Sequence, residues 1–144
     1  PFLPLNGHAD SGGCWVSREV VLVCGPPGAG KSTFARSTGL KVYDRDDPQW
    51  TSERQFREAL SQIGRSTSVQ AAVIRSGASR TARRRAAQLV RATRTVLLIE
   101  PKEVCLARVR KRRRLTTPLR HQLAAVETWF ENYEPDHYPP PLDW

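Results

Sequence analysis

The chain has no apolar run long enough to cross a bilayer: its most apolar stretches, such as Val20–Cys24 and Val96–Ile99, fall far short of the roughly 20 residues that a spanning helix needs. A soluble protein without a membrane partner is expected. Cysteine is scarce, with only Cys14, Cys24 and Cys105. An odd number without CxxC spacing argues against a disulfide scaffold or a zinc cluster and fits a reducing, cytoplasmic setting. His8 and Cys14 lack neighbours that would complete a metal-ligand set. No basic start leads into an apolar secretory segment, although a chain that begins at Pro1 leaves a removed leader open. There is no internal repeat. Lysine is rare as well: Lys31, Lys41, Lys102 and Lys111 are the four lysines among 23 basic residues, the remainder being arginine. Set against 14 acidic residues they give a net charge of +9, which points to an anionic partner. Nucleotides and nucleic acids both qualify.

At 144 residues one domain is expected. Residues 1–17 read as an irregular arm rich in Pro, Gly and short polar residues, and 135–144, with Pro135, Pro139, Pro140 and Pro141, as a Pro-rich extended tail. Between them, over 18–134, short β-branched runs alternate with helical segments. Glu19–Cys24 has the form of a strand buried on both faces. A helix is expected from Lys31–Ser37, a strand over Leu40–Tyr43, a helix over Thr51–Ile63 that ends at a Gly-Arg-Ser-Thr-Ser break, and a strand over Val69–Arg75. A basic helix over Ser79–Arg91, a fourth buried strand over Thr95–Glu100, and helices over Lys102–Arg113 and Pro118–Tyr133 complete the series. Such alternation requires crossover connections, so the expected architecture is a three-layer α/β/α sandwich around a mostly parallel sheet.

The strongest motif is Gly25-Pro26-Pro27-Gly28-Ala29-Gly30-Lys31-Ser32-Thr33, which matches GxxxxGK[ST] between an expected strand and an expected helix. Glycines let the loop curl so that backbone N–H groups face inward as an anion nest, and the helix N-terminus adds its positive dipole end. Lys31 then supplies a point charge to the β- and γ-phosphates of ATP or another nucleoside triphosphate. Ser32 is the candidate Mg²⁺ ligand, with Thr33 assisting.

A second constellation, Asp44-Arg45-Asp46-Asp47, falls at the carboxyl end of the second strand, on the sheet edge that carries the phosphate loop. A carboxylate there can take the proton of an attacking hydroxyl, and Asp46 is the preferred base, with turn or capping roles expected for Asp47 or Asp44. A third, Arg108-Val109-Arg110-Lys111-Arg112-Arg113-Arg114, reads as part of a lid spanning about 108–118 whose guanidinium groups close over the triphosphate; Arg108 and Arg112 are the candidate phosphate contacts. Arg80, Arg83, Arg84, Arg85, Arg91 and Arg94 form a further basic band, in which helical spacing groups Arg80, Arg84 and Arg91 as a patch read equally as a nucleic-acid surface or as a solvated face.

The order of these parts resembles the kinase domain of phage polynucleotide 5′-hydroxyl kinases and, more broadly, P-loop kinases of the adenylate kinase and zeta-toxin type. The resemblance covers roughly Val20–Tyr133 and is specific at GPPGAGKST. It implies a P-loop kinase fold, ATP and Mg²⁺, a polynucleotide or nucleotide-like hydroxyl acceptor, Asp46 as base and Arg112 near the lid arginine. The runners-up are a small-molecule or nucleoside kinase and an NTPase acting as a nucleotide-dependent binding module. Two departures stand out: Gln49 occupies the place of a substrate-gripping arginine, and Gly77 that of an acid after the third strand, which leaves Mg²⁺ to Ser32, with Asp44 or Asp46, and water.

Overall fold

The computed structural model describes residues 17–112 and 117–136. Four strands and five helices alternate along the chain: β1 (Glu19–Cys24), α1 (Lys31–Ser37), β2 (Lys41–Asp44), α2 (Glu53–Arg65), β3 (Gln70–Arg75), α3 (Arg80–Val90), β4 (Arg94–Leu97), α4 (Lys102–Arg112) and α5 (Leu119–Asn132). The strands form one parallel sheet in the order β2-β3-β1-β4. β1 lies inside it, which is why EVVLVC has five buried residues in succession.

Side chains alternate across the sheet and build a core on each face. On one face Val20, Leu22 and Cys24 of β1, with Ala71 and Val73 of β3, meet Phe56, Leu60 and Ile63 of α2 and Val90 of α3. On the other, Val21, Val23, Ala72 and Ile74 meet Ala35 of α1, with Phe34, Val42 and Leu98 at the border. The expected three layers are present. A third cluster joins Ala29 of the loop after β1 to Cys105 and Val109 of α4 and Val126 of α5. That cluster seats the α4–α5 pair beside the sheet's carboxyl edge.

Local chemistry sets the ends of the helices. Ser52 caps α2, its Oγ accepting from Gln55 N–H at 3.0 Å while Gln55 Oε1 accepts from Thr51 N–H at 2.7 Å. Ser79 caps α3 in the same way through Ala82 N–H.

The expected ends of two elements shift. α2 runs through Gly64 to Arg65 instead of stopping at Ile63, because Gly64 is where α3 approaches: a Cβ there would sit 2.1 Å from Leu89 O. β4 ends at Leu97 rather than Glu100. Its last bond to β1, from Leu98 N–H to Cys24 O at 2.8 Å, falls where β1 itself turns away. β4 is also an edge strand in the described sheet, so Arg94 and Thr95 are exposed, not buried. Residues 1–16 of the expected arm, 113–116 of the expected lid and 137–144 of the expected tail lie outside the described residues. Among the described residues no helix is long and apolar enough to cross a membrane, and Cys24 and Cys105 are free thiols.

Candidate functional site

Strand β1 delivers the chain to the carboxyl edge of the sheet, where 25–30 turn back into α1. Gly25 N–H donates to Ser76 O at 3.1 Å, anchoring the start of the loop to the neighbouring strand, and Ala29 N–H donates to Pro26 O. Gly28 and Gly30 take left-handed φ values of 83° and 92°, which L side chains rarely adopt. At Gly28 space is short as well: a Cβ would stand 2.7 Å from Cys105 O, so α4 packs directly on the loop. No side chain caps α1, and its first turn holds no acid. The spacing read as a phosphate cradle thus has the backbone a cradle needs.

A cleft of about 1360 Å³ opens over this loop and is lined by Pro27, Gly28, Gly30, Lys31, Ser32 and Thr33 of the motif. Asp44, Asp46, Asp47 and Pro48 line it from the end of β2, and Arg108 and Arg112 from α4. The structure therefore brings together the three constellations that are separate in sequence. Gly25, Pro26 and Ala29 of the motif do not line the cleft, and Ala29 packs in the α4–α5 core. The Lys31 ammonium donates to Gly25 O at 2.7 Å and Pro26 O at 2.9 Å. Burial lowers its pKa to about 8, an effect that Asp44 and Cys24 oppose and Arg112 assists. Burial also raises the Cys24 thiol beneath the loop to about 11, so it stays protonated at neutral pH.

Asp44, weighed both for a turn or capping role and for a place beside Ser32 at Mg²⁺, is bonded to the motif. Its Oδ2 accepts from Ser32 Oγ at 3.2 Å, and its Oδ1 from Asp46 N–H at 3.0 Å. Strand alternation makes this possible, since Val42 and Asp44 share the face of β2 that looks toward α1. A hydroxyl and a carboxylate side by side are hard oxygen donors suited to Mg²⁺, which keeps several waters and takes one or two protein ligands besides phosphates. Among the described residues there is no group of three His, Cys, Asp or Glu that could hold a metal ion. The second carboxylate oxygen orients the backbone at Asp46, whose side chain faces the cleft. Asp47 does serve the turn, accepting from Gln49 N–H at 3.2 Å. Gln49 itself is held by Asp47 rather than reaching into the cleft.

On the opposite wall, Arg108 Nη1 donates to Gly28 O at 3.2 Å, and its Nη2 lies 3.6 Å from Glu100 Oε1. Arg112 lies one helical turn further along α4 and lines the same cleft.

The basic band on α3 is corrected at Arg83, which is not a surface residue. It is 3% exposed, and its guanidinium donates to Gly77 O and Ala78 O at 2.8 and 2.9 Å and pairs with Asp136 at 2.9 Å. The same contacts explain the glycine at the place of an acid. Gly77 has φ 55°, and a Cβ there would meet Cys24 Sγ at 2.6 Å and the Arg83 side chain at 2.8 Å. Sequence reading missed the Arg83–Asp136 pair because Asp136 lies 53 residues from Arg83, in a segment read as tail.

No family model matches the chain, and no curated protein sequence does. Among solved structures the chain is similar to a gluconokinase from Sinorhizobium meliloti 1021, at 18% identity over 84% of this chain and 78% of that one, with a TM-score of 0.52. At that identity the likeness is one of fold. The chain shares the α/β fold of that gluconokinase, and the likeness does not single out polynucleotide kinases.

Proposed function

We propose that this chain transfers the γ-phosphoryl group of a nucleoside triphosphate, with ATP the first candidate, to a hydroxyl of a small acceptor in the presence of Mg²⁺. One observation carries the reading: the phosphate loop and the β2 carboxylates face one cleft and touch through the 3.2 Å bond between Ser32 and Asp44. A bare nucleotide-binding module needs no carboxylates aimed at the phosphates.

Phosphoryl transfer asks a protein mainly for positioning and charge stabilisation. In this reading the loop's backbone and Lys31 hold the β- and γ-phosphates, while Arg108 and Arg112 face the charge that spreads over the transferred group. Ser32 and Asp44 would hold Mg²⁺, which when bound neutralises charge on the phosphate oxygens. Asp46 accepts the proton of the acceptor hydroxyl as the new O–P bond forms, and the bond from the γ-phosphorus to the bridging oxygen breaks to release the diphosphate.

A small acceptor is favoured over the polynucleotide expected from sequence. Asp46 and Asp47 line the cleft beside the phosphate loop, where a polyanion would meet repulsion. A gluconokinase of similar fold bears the name of a small acceptor.

The test is incubation with γ-labelled ATP, Mg²⁺ and a panel of sugars, sugar acids, nucleosides and 5′-hydroxyl oligonucleotides, using wild type and Asp46→Asn. Label should pass to a small hydroxyl compound and fall by about 100-fold or more in Asp46→Asn. Label on oligonucleotides alone would reinstate the polynucleotide reading. Steady release of diphosphate with no labelled acceptor would make the protein an NTPase.

A further inference from the structure

Ser76, directly after β3, has a carbonyl oxygen that accepts two hydrogen bonds: from Gly25 N–H at 3.1 Å and from the Trp129 indole Nε1–H at 2.7 Å. Gly25 opens the phosphate loop, and Trp129, 4% exposed, belongs to α5. One oxygen thus joins the base of the loop to a distant helix. Trp129 is itself held. Its ring stacks on Tyr133 at 5.1 Å and 13°, and after Tyr133 the chain crosses the loop between β3 and α3. There Glu134 N–H donates to Ala78 O at 3.0 Å, and Glu134 Oε1 accepts from Arg80 N–H at 3.1 Å. Arg83 closes the crossing with a bond to Glu134 O and two to Asp136 Oδ1, at 3.1 and 2.9 Å. These bonds involve a buried guanidinium, and bonds to ionised groups are the stronger kind.

We propose that Trp129, locked by the Arg83–Asp136 clasp, is a positioning residue for the phosphate loop. It sets Gly25 through Ser76 and fixes the loop relative to the α4–α5 unit that carries Arg108 and Arg112. The packing supports transmission in both directions. Val126 of α5 shares a buried cluster with Cys105 and Val109 of α4 and with Ala29 of the loop, and Gly28 lies against the α4 backbone. Close-packed interiors pass a displacement on rather than absorbing it. A shift of α5 therefore moves the loop and the arginine-bearing helix together, and the clasp determines where both walls of the cleft stand. Its effect on catalysis rests on the proposed phosphoryl transfer; the linkage itself does not.

The test is residue-resolved amide hydrogen exchange on the ligand-free full chain, comparing wild type with Trp129→Phe, which keeps an aromatic ring but removes the indole donor, and with Asp136→Asn. Losing one net hydrogen bond, worth about 1 kcal/mol, should speed exchange at the hydrogen-bonded N–H groups of Gly25 and Ala29 by about fivefold while α2 is unchanged. Affinity for Mg-ATP should fall by a similar factor with a smaller change in the melting temperature than a core deletion gives. If Trp129→Phe does not fold, Asp136→Asn carries the same expectation, because its carboxyl is half-exposed and outside the core. Exchange that changes only within α5, or that rises uniformly over the sheet, would overturn the linkage. If wild type binds no nucleotide, the phosphoryl-transfer reading fails while the exchange pattern still decides the linkage.

Discussion

The two ends of the sheet use arginine for opposite purposes. At the amino end Arg18, just before β1, donates to Ile63 O and Ser66 O at the end of α2 and to Val90 O and Arg91 O at the end of α3. Arg91 adds a bond to Gly64 O at 3.1 Å. Both helices terminate there with unpaired carbonyls and the negative end of their dipoles, so cations are consumed as structural staples. At the carboxyl end the chain turns into helix N-termini, where the polarity is reversed and anions are favoured. Lys31, Arg108 and Arg112 face a cleft there with carboxylates opposite. The same side chain is a cap at one end and a candidate phosphate ligand at the other. Arg83 shows a third outcome, an arginine drawn into the interior by carbonyls and one aspartate.

Mutation should separate the two ends. The largest effect is expected for Arg108→Ala at the carboxyl end: transfer falls about 100-fold, as for loss of one donor to developing charge. Stability should change by no more than about 0.5 kcal/mol, because that side chain is exposed. Arg18→Ala should do the reverse. Urea denaturation should show a loss of about 2–3 kcal/mol from leaving several helix-terminal carbonyls without their charged donor, with turnover per folded molecule unaltered.

The third expectation concerns Lys31. Because burial lowers its pKa to about 8, the ligand-free protein carries a neutral amine above that pH, whereas a triphosphate favours the ammonium. Binding should then take up a proton, and affinity should fall by up to about tenfold per pH unit above about 8, as read by calorimetry in buffers of different ionisation enthalpy. The folded pKa lies below the ordinary value, so the unfolded chain binds more protons between about 8 and 10.5 and the ligand-free fold gains stability as pH rises through that window.

The smallest effect is at Glu53, whose carboxyl is held below its ordinary value chiefly by the hydrogen bond from Arg75, with burial opposing. Its contribution is present above the unfolded carboxylate value and is lost as pH falls through the depressed one. Since Glu53 is half-exposed, Glu53→Gln should cost less than about 1 kcal/mol at pH 7 by denaturation.

What could be read from sequence follows the range of the interactions. β1 and the phosphate loop were legible because a β-branched run, fixed glycine spacing and a lysine within nine residues carry the whole signal. Asp44 was half legible: its place at a strand end could be inferred, but its bond to Ser32 depends on which face of β2 it occupies. The staples were not legible, since Arg18 binds carbonyls 45 to 73 residues away and nothing local distinguishes it from a surface arginine. Trp129 and the Arg83–Asp136 pair were hidden for the same reason, each meeting partners some 53 residues distant. Sequence alone grouped Arg83 with the other arginines of a basic band, yet composition cannot say which member of a band turns inward.

The central claim, that Gly25–Ser32 grips a triphosphate through its backbone and Lys31, is tested most directly by calorimetric titration of Mg-ATP into wild type and Lys31→Ala at pH 7. The account predicts saturable one-to-one binding in wild type and at least about tenfold weaker binding in Lys31→Ala, with both proteins folded. No binding by folded wild type, or equal affinity in the two proteins, would contradict it.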